Sequence, residues 1–397
     1  MDDVAIAGAG PAGALAATIL ARAGLRVRIF ERARFPRHKL CGDTLNPGAM
    51  AVFGRHVDVT SLIAQSDPIH GMELSGPGGV RVRAEYGRGV TGRAVTRAVL
   101  DRWLLDRAVE AGAQVEEEVA IRDVAISDGR ITGVVAGGRD GRMRTHPARM
   151  VIAADGRRSA IAIGRGLSRQ PQRPRRWAIG AYYTGVTGCT SLGEMHVRRG
   201  HYIGVAPLPG GLTNACLVVA HTSLGKQSPA TSVNGELPLA RPMAALDRYL
   251  KADPELAGRF AGARAVTAAV MLGPMAVDAT AAGEPGLLLA GDAAGFIDPM
   301  TGDGIRFALV GAELAAAVVG EVLSGTLSID RAHVELASRR RAAFQTKWRF
   351  NRALRTLVSS PASVTAAAVT AAVLPSMFAQ MIRYAGDCSA DVRPSRE

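Results

Sequence analysis

The N-terminal segment up to Glu31 restricts the fold of this chain more than any other. An apolar run over residues 3–8 is typical of a parallel strand that is buried on both faces. The glycine-rich sequence GAGPAG follows at 8–13 and opens a helical pattern over 11–23. A second apolar run over 25–30 ends at the acidic Glu31. This order of strand, glycine-rich turn, helix, strand and acid predicts a βαβ unit that binds a dinucleotide.

Each part of that motif has a physical role in this prediction. Gly8 permits a tight turn, Gly10 lets the backbone approach a pyrophosphate, and Gly13 allows close packing of helix on strand. The helix N-terminus offers free N–H groups to the phosphates, and Glu31 can accept hydrogen bonds from ribose hydroxyls. The alternative is a glycine-rich turn without a ligand. The predicted cofactor contacts of the unit are Gly8, Gly10, Pro11, Ala12, Gly13, Glu31 and Arg32.

Two later segments favour FAD over NAD as the dinucleotide. An apolar run over 284–290 ends in Gly-Asp, and the Asp292 carboxylate can bind a ribityl hydroxyl. The loop 299–304 precedes a helical pattern over 305–323, so its N–H groups and the helix dipole suit the negative end of a reduced isoalloxazine. A third strand pattern at 150–154 ends in Asp-Gly. The predicted contacts here are Asp155, Gly156, Gly291, Asp292, Gly302, Asp303, Gly304 and Ile305, with Pro299, Gly302 and Gly304 beside the reacting ring.

Over residues 1–330 the chain resembles flavoproteins of the p-hydroxybenzoate-hydroxylase-like class, and most of all their geranylgeranyl reductase-like branch. Residues 35–43, FPRHKLCGD, resemble the branch's Pro-x-x-Lys-x-Cys-Gly-Glu/Asp segment. The run DPMTGDG at 298–304 resembles its Pro-Leu-Thr-Gly-Glu-Gly-Ile loop. The resemblance implies non-covalent FAD and NADPH or NADH as electron donor. It also implies FAD contacts from Lys39, Cys41, Gly42 and Arg97.

Cys41 has two interpretations. A free cysteine is most often a small buried apolar residue. Alternatively, Cys41 lies at the flavin face and positions the substrate or donates a proton as a catalytic residue. Its neighbours Arg37, His38 and Lys39 are then expected to lower the pKa of the thiol.

The expected fold is α/β, with a glutathione-reductase-type, Rossmann-like FAD domain formed by residues 1–70, 93–168 and 270–330. Residues 71–92 and 169–269 contain alternating strand patterns and are expected to form an interleaved β-rich substrate domain. Residues 224–242 are rich in Ser, Pro and Gly and indicate a loop. Residues 331–397 indicate a helical C-terminal segment.

The expected function is that of an NAD(P)H-using FAD oxidoreductase acting on a hydrophobic small molecule. The reductase branch has a Trp and a Phe in a cavity segment where this chain has Gly204 and Ala206, so C=C reduction and monooxygenation are both left open. A flavin-dependent halogenase and a non-enzymatic flavin-binding protein are the alternatives, although the halogenase Trp-x-Trp-x-Ile-Pro segment is not found here. No metal site is expected.

The formal net charge is +13, and basic residues concentrate near the C-terminus. Eight Lys or Arg residues and one Glu lie between Arg331 and Arg355, followed by the uncharged stretch 356–382. Nucleic acid is not the expected partner, because no helix-turn-helix, finger or aromatic RNA-binding motif is found. The pattern indicates peripheral contact of 331–382 with an anionic membrane, or an ordinary surface of an arginine-rich protein. Four scattered cysteines and an acidic N-terminus favour the cytoplasm; the oligomeric state is left open.

Overall fold

The computed structural model describes residues 1–87, 89–138, 141–171, 176–220, 240–296 and 299–388. In chain order, its strands are β1 (Asp2–Ala7), β2 (Val27–Glu31), β3 (Thr44–Leu45), β4 (Asp67–Ile69), β5 (Gly71–Ser75), β6 (Arg81–Glu85), β7 (Gly92–Ala94), β8 (Gln114–Glu117), β9 (Ala120–Ser127), β10 (Arg130–Gly137), β11 (Met143–Ala153), β12 (Ser168–Arg169), β13 (Arg176–Thr184), β14 (Leu192–Arg198), β15 (His201–Leu208), β16 (Leu212–Ala220), β17 (Arg264–Ala265), β18 (Val270–Leu272), β19 (Asp278–Ala279), β20 (Gly283–Glu284) and β21 (Leu287–Leu289). Its helices are α1 (Pro11–Arg22), α2 (Pro47–His56), α3 (Thr60–Ala64), α4 (Arg97–Glu110), α5 (Ala160–Gly164), α6 (Ala240–Ala252), α7 (Ala257–Phe260), α8 (Gly304–Leu323), α9 (Ala332–Ser359), α10 (Pro361–Val373) and α11 (Pro375–Ala385).

The first sheet has a parallel centre in the order β21–β11–β1–β2–β8. Successive residues of a strand point to opposite faces of a sheet, and in these strands the residues on both faces are buried. On β1, Val4 and Ile6 belong to the core formed with α1, α4 and α8. Ala5 and Ala7 face the opposite core, which includes the antiparallel hairpin β9–β10 and α5. This arrangement confirms the predicted α/β class with a Rossmann-like unit.

The carboxyl ends of these strands bring the predicted motifs to one edge of the sheet. Gly8 follows β1, Glu31 ends β2, Asp155 follows β11, and Gly291 follows β21. In a doubly wound sheet, ligands bind at this edge. Only glycine fits at position 8, because φ is +94° there and a Cβ would lie 2.6 Å from the Ala154 carbonyl oxygen.

The second sheet has the order β17–β13–β16–β15–β14–β5–β6, with β18 also paired to β13. Its strands are antiparallel except for the β14–β5 pair. Ile179, Ile203 and Leu217 pack with residues of α6 on one side. Tyr202 and Val218 belong to a separate cluster with residues next to the first sheet. The sequence patterns over 177–183, 194–197, 201–205 and 213–220 predict four strands, and all four form, as β13 to β16. Smaller sheets, β3–β7–β4 and β12–β19, complete the strand pairing of the described residues.

Three helices form the described part of the C-terminal segment. α9 packs on α8, α10 packs back on α9, and α11 packs on β6. No single helix in the described ranges is long and apolar enough to cross a bilayer. Ala332–Leu357 and Ala362–Val373 meet the length and hydropathy requirements only as a pair, and they are bent by 109°. The uncharged stretch 356–382 contains the end of α9, all of α10 and most of α11.

One local prediction needs correction. Residues 240–242, which the Ser-, Pro- and Gly-rich composition assigned to a loop, begin α6. Leu246 and Leu250 explain the helix, since they lie on one face, four residues apart, and are buried against the second sheet. Residues 224–239 of the predicted loop, Asp298, and residues 389–397 lie outside the described residues.

Candidate functional site

A cleft between the two large sheets contains most of the predicted site. We call it the cofactor cleft; it encloses about 1380 Å³ of empty space. The predicted residues that line it are Gly10, Pro11, Ala12, Lys39, Cys41, Gly42, Arg97, Gly156, Gly291, Asp292, Gly302, Gly304 and Ile305. Segments far apart in the sequence therefore meet here.

The glycines of the cleft leave room for a ligand. A Cβ at Gly10 would have only Arg37 Nη2 within 4 Å, at 3.8 Å, and one at Gly42 or Gly302 would meet nothing. Gly13 has the opposite role, because its Cβ would lie 1.9 Å from the Gly8 carbonyl oxygen and would push α1 off β1. The open glycines and the α1 N-terminus thus form a cradle that fits the diphosphate of FAD.

Glu31 and its neighbours lie at the rim of this cradle. The buried Glu31 carboxylate accepts hydrogen bonds from the backbone N–H groups of Ala9, at 2.9 Å, and Ala33, at 3.0 Å. Those bonds hold the side chain beside the glycine-rich turn. Arg32 is exposed. It lies close enough to Asp155 to act electrostatically on that carboxyl.

A buried cluster of charged side chains holds Arg97 in place. The Asp101 carboxylate, fully buried, accepts two 2.8 Å hydrogen bonds from Arg97 and pairs with Arg37 Nη1 at 2.8 Å. Burial opposes ionisation of Asp101, but Arg97 and Arg37 hold its pKa below the usual value. Lys39 lines the cleft nearby; burial and the charge of Arg97 lower its pKa to about 8. The cleft is therefore basic, which suits a diphosphate.

The loop before α8 has two different sides. Gly302 and Gly304 line the cleft, as predicted, and the Pro299 backbone begins a single 3-10 turn, Pro299–Thr301. The Asp303 side chain instead belongs to a buried cluster, where it accepts a 3.0 Å hydrogen bond from Asn46 Nδ2 and lies 3.5 Å from Lys347 Nζ. Asp303 thus anchors the loop to the helices behind it. Asp155 likewise accepts a 2.9 Å hydrogen bond from Ala160 N at the start of α5.

Cys41 lines the cleft, but its electrostatic surroundings differ from the expectation. Burial raises the pKa of its thiol, and the cation that opposes this shift is Arg97, not the adjacent basic residues. The expected lowering of the thiol pKa is therefore wrong, because the site removes the sulfur from water. At neutral pH the thiol keeps its proton.

Asp43 is a buried acid that the sequence analysis did not single out. Its side chain is 1% exposed and accepts a 2.5 Å hydrogen bond from Asn214 Nδ2, which also donates to the Cys41 carbonyl oxygen at 2.8 Å. Burial raises the pKa of Asp43 to about 7, and hydrogen bonds from Tyr182 and Asn214 offset the shift only in part. A carboxyl that is half protonated near neutrality thus lies two residues from Cys41.

A second, apolar cavity adjoins the cleft and encloses about 1150 Å³. Its walls come from β5, β6 and β14 on one side and from α9, α10 and α11 on the other, and they include Leu74, Val80, Val82, Val197, Phe350, Leu354, Val364, Ala368, Ala371, Phe378, Met381 and Ile382. Five residues line both spaces, namely Thr44, Met72, Met195, Met300 and Gly302. The apolar cavity and the cofactor cleft therefore meet at the loop before α8, which contains Gly302.

Other residues of the cleft had a weaker sequence signal. Arg157 follows the predicted Asp-Gly pair and lines the cleft, where burial lowers its pKa to about 10. Asp101 lies one helical turn after Arg97, so the spacing alone indicates the ion pair. Asn214 carried no signal, because its partner lies 171 positions earlier in the chain.

Comparison with known proteins identifies the family. The model of a family described as "FAD binding domain" matches residues 1–230. A digeranylgeranylglycerophospholipid reductase of Methanopyrus kandleri is 32% identical over 332 residues, covering 81% of this chain and 81% of the relative. A menaquinone reductase of Mycolicibacterium smegmatis is 31% identical over 319 residues, covering 79% of this chain and 75% of the relative.

Solved structures share the fold. A geranylgeranyl bacteriochlorophyll reductase-like protein of Thermoplasma acidophilum superposes with a TM-score of 0.76 at 20% identity, covering 97% of this chain and 91% of that one. A flavin-dependent brominase reaches a TM-score of 0.83 at 19% identity, covering 100% of this chain and 96% of that one. At these identities the superpositions show the fold alone, and it agrees with the family match. The chain belongs to the FAD-binding domain family and is an FAD-dependent oxidoreductase of the geranylgeranyl reductase-like branch.

Proposed function

We propose that this oxidoreductase reduces carbon–carbon double bonds of a long, apolar, lipid-like molecule. The observation that carries the proposal is the apolar cavity that opens into the cofactor cleft at Met72, Met195 and Met300. Flexible methionine side chains adapt to an irregular apolar ligand. A chain held in the apolar cavity can present one end at Gly302, beside the predicted flavin position.

The replaced aromatic residues are compatible with this substrate class. Gly204 and Ala206 line the cofactor cleft where the branch has larger side chains. A Cβ at Gly204 would approach Met195 Cε to 3.8 Å, so ordinary contact space exists there. The substitutions enlarge the cleft beside the shared methionines and favour a bulkier reacting group rather than a different reaction.

The names of the relatives support reduction. Two relatives that share more than 30% identity are named for reduction of digeranylgeranylglycerophospholipids and of menaquinone. We propose NADPH or NADH as the electron donor, because the Asp155-Gly156 pair resembles the motif that relatives associate with that donor and Arg157 adds a positive charge to the cleft.

When bound, FAD supplies the hydride. Saturation of a C=C bond also requires a proton, and side chains of this protein can hold one in the cofactor cleft. The Cys41 thiol is protonated at neutral pH and lines the cleft, so its Sγ can donate to the substrate carbon. Asp43 has a pKa of about 7, so its carboxyl can restore a proton to this region.

Reduction and oxygenation are distinguished by an anaerobic experiment. The FAD-loaded protein is reduced with NADPH or NADH, freed of excess donor, and mixed without oxygen with menaquinone or a digeranylgeranylglycerophospholipid. We expect the flavin absorbance to return and the isoprenoid chain of the product to gain two hydrogen atoms. Because reduction of the menaquinone ring to a quinol adds the same mass, the menaquinone product is reoxidised in air before its mass is measured. A product that gains an oxygen atom, and only in air, would identify a monooxygenase and overturn the proposal.

Cys41→Ser and Cys41→Ala test the proton donor. We expect Cys41→Ala to slow substrate-dependent reoxidation about 100-fold, within the range for loss of a general acid, while reduction by the nicotinamide is unchanged. Cys41→Ser should retain part of the rate. Cys189→Ala is the matched control, since Cys189 is a free cysteine that does not line the cofactor cleft; its Sγ contacts Thr213 and Arg259.

We also propose that the corner between α10 and α11 contacts an anionic bilayer. Val369 and Val373 are 62% and 71% exposed, and the neighbouring Leu374 and Met377 are also exposed. The uncharged stretch 356–382 that contains them also lines the apolar cavity from inside. A lipid-like substrate thus has an apolar route from bilayer to cavity.

The structure changes which basic residues can serve this contact. Arg339 pairs with Glu321 and Glu335, and Arg340 is buried, so within the described part of the chain Arg341 is the one arginine of that run that faces outward without an ion pair. The exposed arginines of these helices are Arg341, Arg349, Arg352 and Arg383.

Co-sedimentation with phosphatidylglycerol and phosphatidylcholine vesicles tests the bilayer contact. We expect binding to phosphatidylglycerol that weakens with salt, and loss of most of it in the Val369→Asp, Val373→Asp double variant. Val334→Asp is the control, because Val334 is exposed at the start of α9, outside the corner. Equal binding by the double variant and wild type would contradict the proposal.

A further inference from the structure

Arg340 on α9 is a buried cation without a buried anion. Its side chain is 7% exposed, and no carboxylate of the described residues forms an ion pair with it. Its Nη2 donates a 2.7 Å hydrogen bond to the Ala294 carbonyl oxygen, and the guanidinium lies over the Phe344 ring, 5.7 Å from the centroid. Burial lowers its pKa to about 10, so the group stays charged at neutral pH. Burying an unpaired charge is costly unless something compensates it.

The guanidinium lies directly behind the cofactor cleft. Arg340 lines a small space together with Gly291, Asp292, Gly304 and Ala308, and all four of those residues also line the cofactor cleft. Gly311 of α8 lies next to the guanidinium and to the Gly291 backbone. The point where a Gly311 Cβ would sit is 3.6 Å from Arg340 Nη1 and 4.0 Å from the Gly291 backbone nitrogen.

We propose that Arg340 raises the reduction potential of bound FAD by stabilising the negative charge of its reduced form. Reduction adds two electrons and, at neutral pH, one proton to the isoalloxazine, which leaves one negative charge on the ring. The positive field of Arg340, transmitted through the low-dielectric region around Gly304 and Ala308, favours that form over the neutral oxidised form. The anion that Arg340 lacks among the described side chains is thus supplied when the cofactor is reduced.

The charge acts in the same direction as the α8 N-terminus. The helix begins at Gly304, which lines the cleft, so its dipole already places partial positive charge there. Arg340 adds a full charge from behind the same turn. Its place on α9, outside the strand-and-glycine motifs, explains why motif spacing did not indicate it.

The midpoint potential of the FAD-loaded protein, measured against indicator dyes during slow reduction, tests the inference. We expect Arg340→Gln to bind reduced FAD about tenfold more weakly relative to oxidised FAD, a fall of about 30 mV for a two-electron couple. Arg340→Lys should keep the potential close to that of wild type. Arg339→Gln is the matched control. Arg339 is the neighbouring arginine, but its charge is paired with Glu321 and Glu335, so this variant should keep the wild-type midpoint potential.

A purely structural role predicts a different result. If Arg340 serves only as donor to the Ala294 carbonyl oxygen, glutamine can replace the hydrogen bond, so Arg340→Gln would keep the wild-type potential. That outcome would overturn the inference. Oxidised FAD affinity, measured for every variant at the same pH, separates a change in potential from general loss of cofactor. The measurement needs no substrate, so its result does not depend on the proposed C=C reduction.

Discussion

Asp43 shows how a single residue combines backbone and electrostatic constraints. Its φ is +53°, a left-handed conformation that Asp and Asn tolerate better than most residues. Asn214, on β16 of the second sheet, reaches both this carboxyl and the Cys41 carbonyl oxygen. The proton equilibrium of the site therefore depends on contact between the 41–43 segment and the second sheet, and neither one alone determines it.

The raised pKa of Asp43 predicts that stability falls as pH rises. The folded protein holds this proton up to about pH 7, whereas an ordinary Asp loses it near pH 3.9. The stabilisation is complete below about pH 4 and is lost as the pH increases through 7. Relative to Asp43→Asn, wild type should lose about 4 kcal/mol at most over this interval, because one pKa unit corresponds to about 1.36 kcal/mol.

Urea unfolding of both FAD-loaded proteins between pH 4 and pH 8 measures this difference. Asparagine tolerates the left-handed backbone and retains polar contacts, and the comparison cancels groups that titrate in both proteins. A constant difference between the two free energies of unfolding would show that the carboxyl has an ordinary pKa.

Sequence reasoning was most successful where local chemistry determines the residue. A tight turn at Gly8 and close packing of helix on strand at Gly13 predict these two glycines, and a Cβ at either position would lie within 2.6 Å of a carbonyl oxygen. The thiol of Cys41 was misjudged, since the sequence showed nearby cations but not the loss of water around the sulfur. Burial of that kind is a tertiary property, as is the pairing of Asp43 with Asn214.

At the scale of elements, Lys347 joins the C-terminal helices to the loop of the cofactor cleft. Its Nζ on α9 donates to the carbonyl oxygens of Tyr384 and Ala385, at 2.6 and 2.9 Å, where α11 ends. The same nitrogen lies 3.5 Å from Asp303 and 3.1 Å from Asp387. One buried lysine thus satisfies the C-terminal carbonyl groups of α11 and pairs with Asp303, the residue that precedes α8.

Lys347→Met should release α11 from this contact. Removing one member of a buried ionic group leaves the carboxylates without full compensation, which typically costs about 3–5 kcal/mol. Amide hydrogen exchange is expected to accelerate in α11, followed at lower amplitude by the loop at 302–304. Lys251→Met is the matched control, because Lys251 is exposed at the end of α6. Unaltered protection of α11 would contradict the assigned role of Lys347.

The sequence predicted these helices less completely than the N-terminal unit. Composition predicts a helical C-terminal segment, but it carries no information on the direction of each helix. The chain bends by 109° between α9 and α10 at a Ser-Pro pair. Ser360 caps the N-terminus of α10, and Pro361 is the first residue of that helix. Proline at N1 starts a helix well and cannot continue the preceding one, so the break itself has a local cause. The apolar cavity under the bend depends on long-range packing.

At the scale of the whole molecule, cofactor binding couples the parallel sheet to the second sheet. The cleft takes its walls from both sheets and from α8, so a ligand there contacts regions that are separate in sequence. Any ligand that binds only the folded form raises stability by mass action, by about 2.7 kcal/mol at 100 times its dissociation constant.

Gly10→Ala should weaken that coupling without changing the apoprotein. A methyl group at Gly10 enters open cleft space, so we expect about tenfold weaker FAD binding, equivalent to about 1.4 kcal/mol. Thermal unfolding over a series of FAD concentrations measures the loss. Gly54→Ala in α2 is the control, since no atom lies within 4 Å of its Cβ position, and it should shift both forms equally. An FAD-induced stabilisation equal to that of wild type would show that Gly10 does not border the cofactor.

The chain has only four lysines, and the structure gives two of them special surroundings. Lys39 lines the cofactor cleft and Lys347 is buried under α11, and burial lowers the pKa of both amines to about 8. Near that pH a large share of the Lys39 amine is unprotonated and therefore nucleophilic, whereas the Lys347 amine is shielded until α11 detaches and a reagent can reach it. Acylation of primary amines, read by peptide mass spectrometry, thus gives two internal reporters: one for occupancy of the cleft and one for detachment of the last helix.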